Sequence, residues 1–480
     1  MSRVVVIGAG VGGLTAAVRL AERGHRVEVH ERAPVAGGKL GVYERDGFRF
    51  DTGPSLLTMP QVLAGAEPLP LEPLPLDPVV RHVFADGVTL DSSADHEVFL
   101  ERIRAALGPG AADDWHRFWR RATRIWDASW RSVLQHPVTP ASLARLSWRV
   151  GDLAAIAPWQ SLRSLGRQYL RDPRLRMLLD RYATYTGADP RRAPAALAAV
   201  PYAELNFGGW YLAGGLGTLA TALLHRCDAL GVTVHTGSPV TRIEADTRVR
   251  GVVLAGGRTV PADVVVSNVD ALTTYRDLLP APSRLAGLTR RSLAGFVLLL
   301  GVRGDTPSLA HHTVFFPHDY DAEFDAVFPA PGHWARPATD PTVFVTRADN
   351  PAVHPPGDEA WFVLINAPPH GTGWSAVDWR RPGLADAYAE HLLAVLARRG
   401  LDVRDRLRFA ETRTPADLAD ATAAPGGAIY GTAGGLVRPP NRGPVPGLYL
   451  VGGSTHPGGG LPMVTLSAQI VADQIGSAGP

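Results

Sequence analysis

Val4-Val5-Val6-Ile7-Gly8-Ala9-Gly10-Val11-Gly12-Gly13, followed after a helical stretch by Arg26-Val27-Glu28-Val29-His30-Glu31, decides the fold. The continuous β-branched run reads as a parallel strand covered on both faces. From Gly13 to Arg23 the apolar residues Leu14, Ala17, Val18 and Ala21 share one helical face, and Gly24 ends the helix. A second strand from Arg26 to Glu31 completes a β-α-β unit. Gly8, Gly10, Gly12 and Gly13 fit the G-x-G-x-x-G pattern. Gly8 permits the tight turn, Gly10 lets backbone approach a pyrophosphate, and Gly13 lets helix and strand pack closely. The helix N-terminus then faces the phosphates with unpaired N–H groups and a positive dipole end. Glu31 stands where a carboxylate accepts ribose hydroxyls, which points to FAD or NAD rather than NADP.

Outward from this unit, 480 residues suffice for two or three domain-sized cores. A hydrophobic content of 45% and a charged content of 20% are ordinary for a globular protein. A net charge of +2 and the lack of a recognised motif give no reason to expect nucleic acid as a partner. Cys227 is the single cysteine, so no intrachain disulfide can form, as expected of a reducing compartment. The N-terminus runs directly into a strand without a secretory signal, and the apolar stretch from Leu293 to Val302 is shorter than the roughly 20 residues a membrane helix needs. A cytoplasmic, peripherally membrane-associated protein is expected.

The segment 62–82 is rich in proline and leucine and reads as a linker. Helical periodicity dominates 95–200. Within 210–292, Val232 to His235, Val240 to Ala245, Arg250 to Leu254 and Arg258 to Val260 read as hairpin strands, and Val264-Val265-Val266 closes the block. Strands Phe296–Leu300 and Trp361–Ile365 and a helix over Pro382–Arg399 mark 293–420, and the chain ends in strand, glycine turn and helix. The expected class is α/β. A Rossmann-type dinucleotide-binding domain comprises 1–75, 205–292 and 420–480, a helical membrane or substrate cap 76–204, and an inserted α+β substrate domain 293–419.

After Glu31 come Arg32, Gly37-Gly38-Lys39 and Phe50-Asp51-Thr52-Gly53-Pro54-Ser55. Here the chain resembles the glutathione-reductase-like FAD superfamily, which includes amine oxidases and carotenoid desaturases. The resemblance implies FAD as cofactor and an amine-oxidase-like architecture. It implies that Gly37 and Gly38 bring backbone near the phosphates and flavin edge with Lys39, the sole lysine, as cationic partner. It likewise implies that Arg32, Gly53, Pro54 and Ser55 lie at the cofactor and that Val240 meets the adenine through its backbone. In Leu448-Tyr449-Leu450-Val451-Gly452-Gly453-Ser454-Thr455-His456-Pro457-Gly458-Gly459-Gly460-Leu461-Pro462-Met463-Val464, a strand enters a glycine loop and a helix begins near Pro462. A helix N-terminus there, with Gly452, Gly453, Pro462, Met463 and Val464, would stabilise negative charge on a reduced flavin.

This C-terminal run, Asp51 through Pro60, and Gly214-Gly215-Leu216-Gly217-Thr218-Leu219 are similar to the bacterial-type phytoene desaturase family, in that family's order. The resemblance implies dehydrogenation of a C–C bond beside a polyene by hydride transfer to flavin. The substrate would be an acyclic carotenoid, with quinone or oxygen as electron acceptor. Met463 through Ser467 and Asn366-Ala367-Pro368 look more like desaturases of already conjugated or hydroxylated carotenoids. His456 is the candidate general base, and Asp51 reads as a turn cap. No histidine spacing suggests a metal. Six of the 11 tryptophans fall between Trp115 and Trp159 among arginines, a composition suited to a lipid headgroup boundary. A carotenoid isomerase, another flavin oxidase and a prenyl-lipid carrier are the rival readings on the same fold.

Overall fold

The structure, a computed structural model, describes residues 1–63, 68–373, 376–433 and 438–479. At its base lies a five-stranded parallel sheet in the order Thr233–His235, Arg26–His30, Arg3–Ile7, Val264–Ser267, Leu448–Leu450. Both ends of the chain therefore build one sheet. Val4 to Val6 are almost wholly buried, as a central strand covered on both faces requires. The first helix, Val11–Glu22, packs against the last, Leu461–Ile475, and against Thr218–Ala229 on one face. Leu14, Ala17 and Leu20 supply its apolar stripe. A three-stranded antiparallel meander, Val240–Ala245, Val249–Leu254 and Thr259–Pro261, covers Val5, Ile7 and Val265 on the other face.

The stretch expected as the first hairpin strand, Val232 to His235, departs from that expectation. Its residues Thr233–His235 pair in parallel with Glu28–His30 and form the edge of the main sheet. They follow the helix Thr218–Ala229, so the segment is a crossover returning to the sheet.

A second, seven-stranded sheet is built on the ten-residue strands Ala294–Arg303 and Asp358–Ala367, backed by the helix Leu384–Arg398. Its far edge takes Arg81–Val83 and Thr89–Asp91, from a stretch read as linker and helical cap. Three-residue edge strands tolerate flanking prolines and carry little periodicity, which hides them in sequence.

Helices from His96–Leu107 to Ala199–Phe207 form a third layer. The apolar cluster joining this layer to the second sheet includes Trp115, Phe118, Tyr182, Val314, Phe316 and Phe324. Met463, in the first turn of the last helix, packs against the same cluster. All three layers thus meet where the last helix begins. No helix among the described residues is long and apolar enough to cross a membrane.

Candidate cofactor site

Two helix N-termini face one another across the carboxyl ends of the central strands. The first helix has Gly10 and the last has Gly460 at the capping position, and neither receives a side-chain cap. The first-turn N–H groups are thereby left to a ligand, with both positive dipole ends nearby. Glycine is required by how tightly the backbones approach. A Cβ on Gly12 would sit 3.2 Å from Gly452 Cα, 3.0 Å from Val464 Cγ1 and 2.6 Å from Asn268 Oδ1. One on Gly38 would sit 3.1 Å from Gly10 Cα, one on Gly453 3.4 Å from Gly459 Cα, and one on Gly13 would collide with Gly8 O. Gly10 and Gly37 form an isolated parallel bridge, and Gly8 has φ +95°. Gly8, Gly10, Gly12, Gly13, Gly37, Gly38, Gly452, Gly453 and Val464 therefore line one crevice, with Pro462 in the first turn beside it.

Asn268 stands at the centre, its side-chain amide within reach of Gly10, Gly12 and Gly452. Sequence reading stops one strand short of it. The available signal is positional: Asn268 follows the strand paired with the first strand, at the switch point where open α/β sheets bind ligands.

At the other end of the crevice, Glu31 Oε2 accepts the Ala9 N–H at 2.7 Å and Oε1 accepts the Ala33 N–H at 2.8 Å. Each oxygen keeps a lone pair for sugar hydroxyls. Ser238 N–H donates to Glu31 O at 2.7 Å, which brings Val240, two residues on, to the same corner.

Other expected site residues make contacts within the protein. Arg32 is exposed and donates to the Asp420 carbonyl. Lys39 Nζ donates to the carbonyls of Ala428 and Ile429 at 2.9 and 2.6 Å, and burial lowers its pKa to about 8 despite nearby Asp270. It pins the segment before Tyr430. Gly53 lies so close to Lys39 O that any Cβ would collide. Ser55 is held by Thr346 Oγ1 at 2.9 Å and by the His312 ring, tying Gly53-Pro54-Ser55 to the second sheet. Asp51 caps a turn, accepting from the N–H groups of Leu216 and Gly217 at 2.7 and 2.8 Å.

His456, the candidate general base, is held inside the protein by backbone carbonyls. It is 1% exposed, and its Nε2 lies 2.9 Å from His136 O and 3.2 Å from Val133 O. An Nε2–H committed to carbonyls cannot accept a proton there. Burial lowers the ring's pKa to about 4, so it is neutral at pH 7. The ring fastens the C-terminal glycine loop to the turn after the long helix Pro109–Ser129.

Glu28, His30 and His235 place potential metal-ligand atoms within 4.8 Å of one another. The two imidazoles stack at 4.8 Å with planes 13° apart. His30 Nε2 and His235 Nε2 lie 4.0 and 3.8 Å from the same oxygen of Glu28, and His30 Nδ1 is 2.9 Å from Ser238 Oγ.

Backbone open to a pyrophosphate, a carboxylate at the ribose corner and a second helix N-terminus at the far end fit FAD. Fold and site together define an FAD-dependent oxidoreductase. The chain belongs to the flavin containing amine oxidoreductases, whose family pattern matches residues 11–287, and within them to the carotenoid desaturase family. It is 34% identical over 499 residues to a 4,4'-diapolycopene oxygenase of Methylomonas sp, covering 98% of each chain. It is 35% identical over 512 residues to a hydroxyneurosporene desaturase of Rubrivivax gelatinosus, covering 98% of this chain and 93% of the other. A crystal structure of an oxidoreductase from Methanosarcina mazei shares the fold, with a TM-score of 0.62 at 19% identity, covering 98% of this chain and 100% of that one.

Gly12→Ala, which places a methyl group against Asn268 and Gly452, is expected to weaken FAD binding at least tenfold, read as flavin absorbance retained after desalting. His456→Gln keeps an N–H donor toward Val133 and His136. Turnover is expected to stay within about threefold, whereas a true general base would lose about a hundredfold or more. A histidine whose pKa falls from 6.5 to about 4 on folding contributes stability that is full above pH 6.5 and lost as pH falls toward 4. Its share is about 3 kcal/mol. Urea unfolding between pH 7 and pH 4 is expected to show a shallower acid loss in the variant.

Proposed function

We propose that the chain is an FAD-dependent desaturase of acyclic carotenoids. The observation that carries this reading is the apolar interface between the helical layer and the second sheet, which reaches Met463 beside the glycine loop. A long polyene lying there would present one of its bonds at the cofactor. Bound FAD supplies a two-electron acceptor. The chain's own contribution is to exclude water with an apolar lining, to fix the substrate's depth, and to set two dipole ends against negative charge at the cofactor. The allylic cation developing in such a substrate is stabilised by its own conjugation, so the reaction needs no residue of the strength of a metal or nucleophile. In this reading Gly8, Gly10, Gly12, Gly13, Gly37 and Gly38 hold the pyrophosphate, and Glu31 and Val240 the adenosine. Gly452, Gly453, Pro462, Met463 and Val464 hold the flavin end.

The segment 140–160 supports contact with a membrane. Among the tryptophans from 115 to 159, Trp115 and Trp126 are buried and Trp119 and Trp130 partly so, whereas Trp148 is 87% and Trp159 72% exposed. Val150 is 70% exposed beside them. A neighbouring cleft is lined by Arg131, His136, Arg145 and Arg149, with Asp152 pairing to Arg131 and Arg149, a net basic setting for lipid phosphate. A protein on a membrane surface on the cytoplasmic side could draw both a carotenoid and its electron acceptor, quinone or dioxygen, from the bilayer.

Expression in a host accumulating neurosporene or 1-hydroxyneurosporene is expected to yield a product short of two hydrogens, with red-shifted absorption. A flavin-loaded protein that leaves both compounds unchanged would sink the reading, and a product gaining oxygen would replace it with oxygenation. In liposome sedimentation, combined Trp148→Ser and Trp159→Ser substitutions are expected to lower binding to anionic vesicles at least fivefold. Replacing Arg117, already paired with Asp114, is expected to change it little.

A further inference from the structure

The interface between helices and second sheet contains an island of polar groups that the desaturation chemistry does not use. Arg181 closes the helix Pro173–Arg181 and is 5% exposed. Its Nη2 donates to Tyr185 Oη at 2.8 Å, and its Cζ lies 5.0 Å from the Tyr185 ring centroid and 5.6 Å from that of Phe344. Its Nη1 is buried without a partner. The facing sheet surface is fixed by strand register. Val314 pairs with both His82 and Phe344, and His312 lies two residues before it, so all four side chains share one face. Both ring nitrogens of His82 are buried and unpartnered, and the buried Nδ1 of His312 and hydroxyl of Tyr320 have Val79 and Thr342 as polar neighbours, neither in hydrogen-bonding geometry. Around them Val314, Phe316 and Phe324 offer no polar atom.

The donor set defines the missing partner. Arginine can only donate, and Tyr320 Oη and one nitrogen of a neutral His82 can also donate, so the partner must accept. Charge narrows it further. The buried carboxylate of Glu204 accepts from Tyr182 Oη at 2.8 Å and belongs to the cluster around Arg181 and Tyr185. It already balances the guanidinium, and an anionic ligand would enter against it. The position is also informative. Tyr430, whose ring presses on Gly459 in the C-terminal glycine loop, separates the island from the cofactor crevice by about one side chain.

We propose that Arg181, Tyr320 and His82 form a binding point for a neutral oxygen function, a hydroxyl or carbonyl, on an otherwise hydrocarbon substrate. The inference rests on the carotenoid reading and adds to it the residues that select among carotenoids. Holding one oxygenated end fixes how far along the polyene the reacting bond lies, so Arg181 and Tyr320 act as specificity determinants and not as catalytic residues.

The test uses the FAD-loaded protein and three probes: neurosporene, 1-hydroxyneurosporene and an acyclic carotenoid ending in a carboxylic acid. Dissociation constants come from quenching of tryptophan fluorescence by the polyene, and kcat/KM is measured alongside. The hydroxylated probe is expected to bind at least tenfold more tightly than the hydrocarbon. Tyr320→Phe, which removes the hydroxyl and keeps the ring, and Arg181→Gln are each expected to lower that ratio at least threefold. Flavin content and melting temperature report folding; should Arg181→Gln fail to hold FAD, Tyr320→Phe decides alone. Equal affinity for the first two probes overturns the inference, as does a ratio unmoved by the substitutions or a preference for the acid. Selective binding without turnover leaves it standing and sinks the desaturase reading, whereas turnover without selectivity does the reverse.

Discussion

The first and last helices must begin within van der Waals distance of each other, with only backbone and one amide side chain between them. Every glycine whose added Cβ would strike Asn268, Gly452 or Gly10 answers to that constraint. Two uncapped N-termini repel in isolation, since like dipole ends converge in low dielectric. The packing of the two helices along their apolar faces holds them together, with Leu14 and Ala468 both wholly buried there. Sheet order follows from the same demand. Only when Leu448–Leu450 and Arg3–Ile7 both flank Val264–Ser267 do their following turns open on one crevice.

Much of this frame was legible in the sequence because it is written in backbone requirements. A glycine loop between a β-branched run and an amphipathic helix means the same thing wherever it occurs, and Glu31 stands a fixed distance beyond it. Gly452 through Val464 could be read for a similar reason. Asn268 could not, because nothing local marks it. Its meaning comes from Val264–Ser267 lying beside the first strand, a pairing across roughly 260 residues of chain. The protein contacts of Lys39 and His456 were illegible for a complementary reason. A charged or titratable residue inside a glycine motif suggests chemistry, yet each here spends its N–H groups on backbone carbonyls of a distant segment, Ala428–Ile429 in one case and Val133–His136 in the other. Buried carbonyls need donors as much as cofactors do, and sequence cannot show which demand a side chain meets.

The helical layer displays the same division. Periodicity located it, and composition flagged its tryptophans, but the sorting into Trp115 and Trp126 inside and Trp148 and Trp159 outside depends on which helices stack. Trp126 stacks on Trp130, one turn on, at 5.1 Å and meets Tyr202 at 5.8 Å, the latter brought in by a helix more than seventy residues away. Such a side chain is core by virtue of its neighbours. The two exposed tryptophans have no such neighbours, and they fall on the short helices Pro140–Trp148 and Val150–Ile156 and the turn after them, where little else covers apolar surface.

Cofactor and substrate sites consequently differ in how freely they can diverge. The crevice around Asn268 is made of main chain and glycine, so nearly any substitution there meets a backbone that cannot move aside. The island around Arg181 is assembled from side chains on four separate segments, Pro173–Arg181, Arg81–Val83, His312–Phe315 and the helix Tyr320–Val327. On the proposed reading, exchanging His82 or Tyr320 would alter the atoms offered to a substrate while leaving the strand pairings to the backbone. Relatives at 34% and 35% identity over nearly the full chain carry the names of an oxygenase and a desaturase. A cradle of main chain beside a lining of side chains would let one frame carry both names.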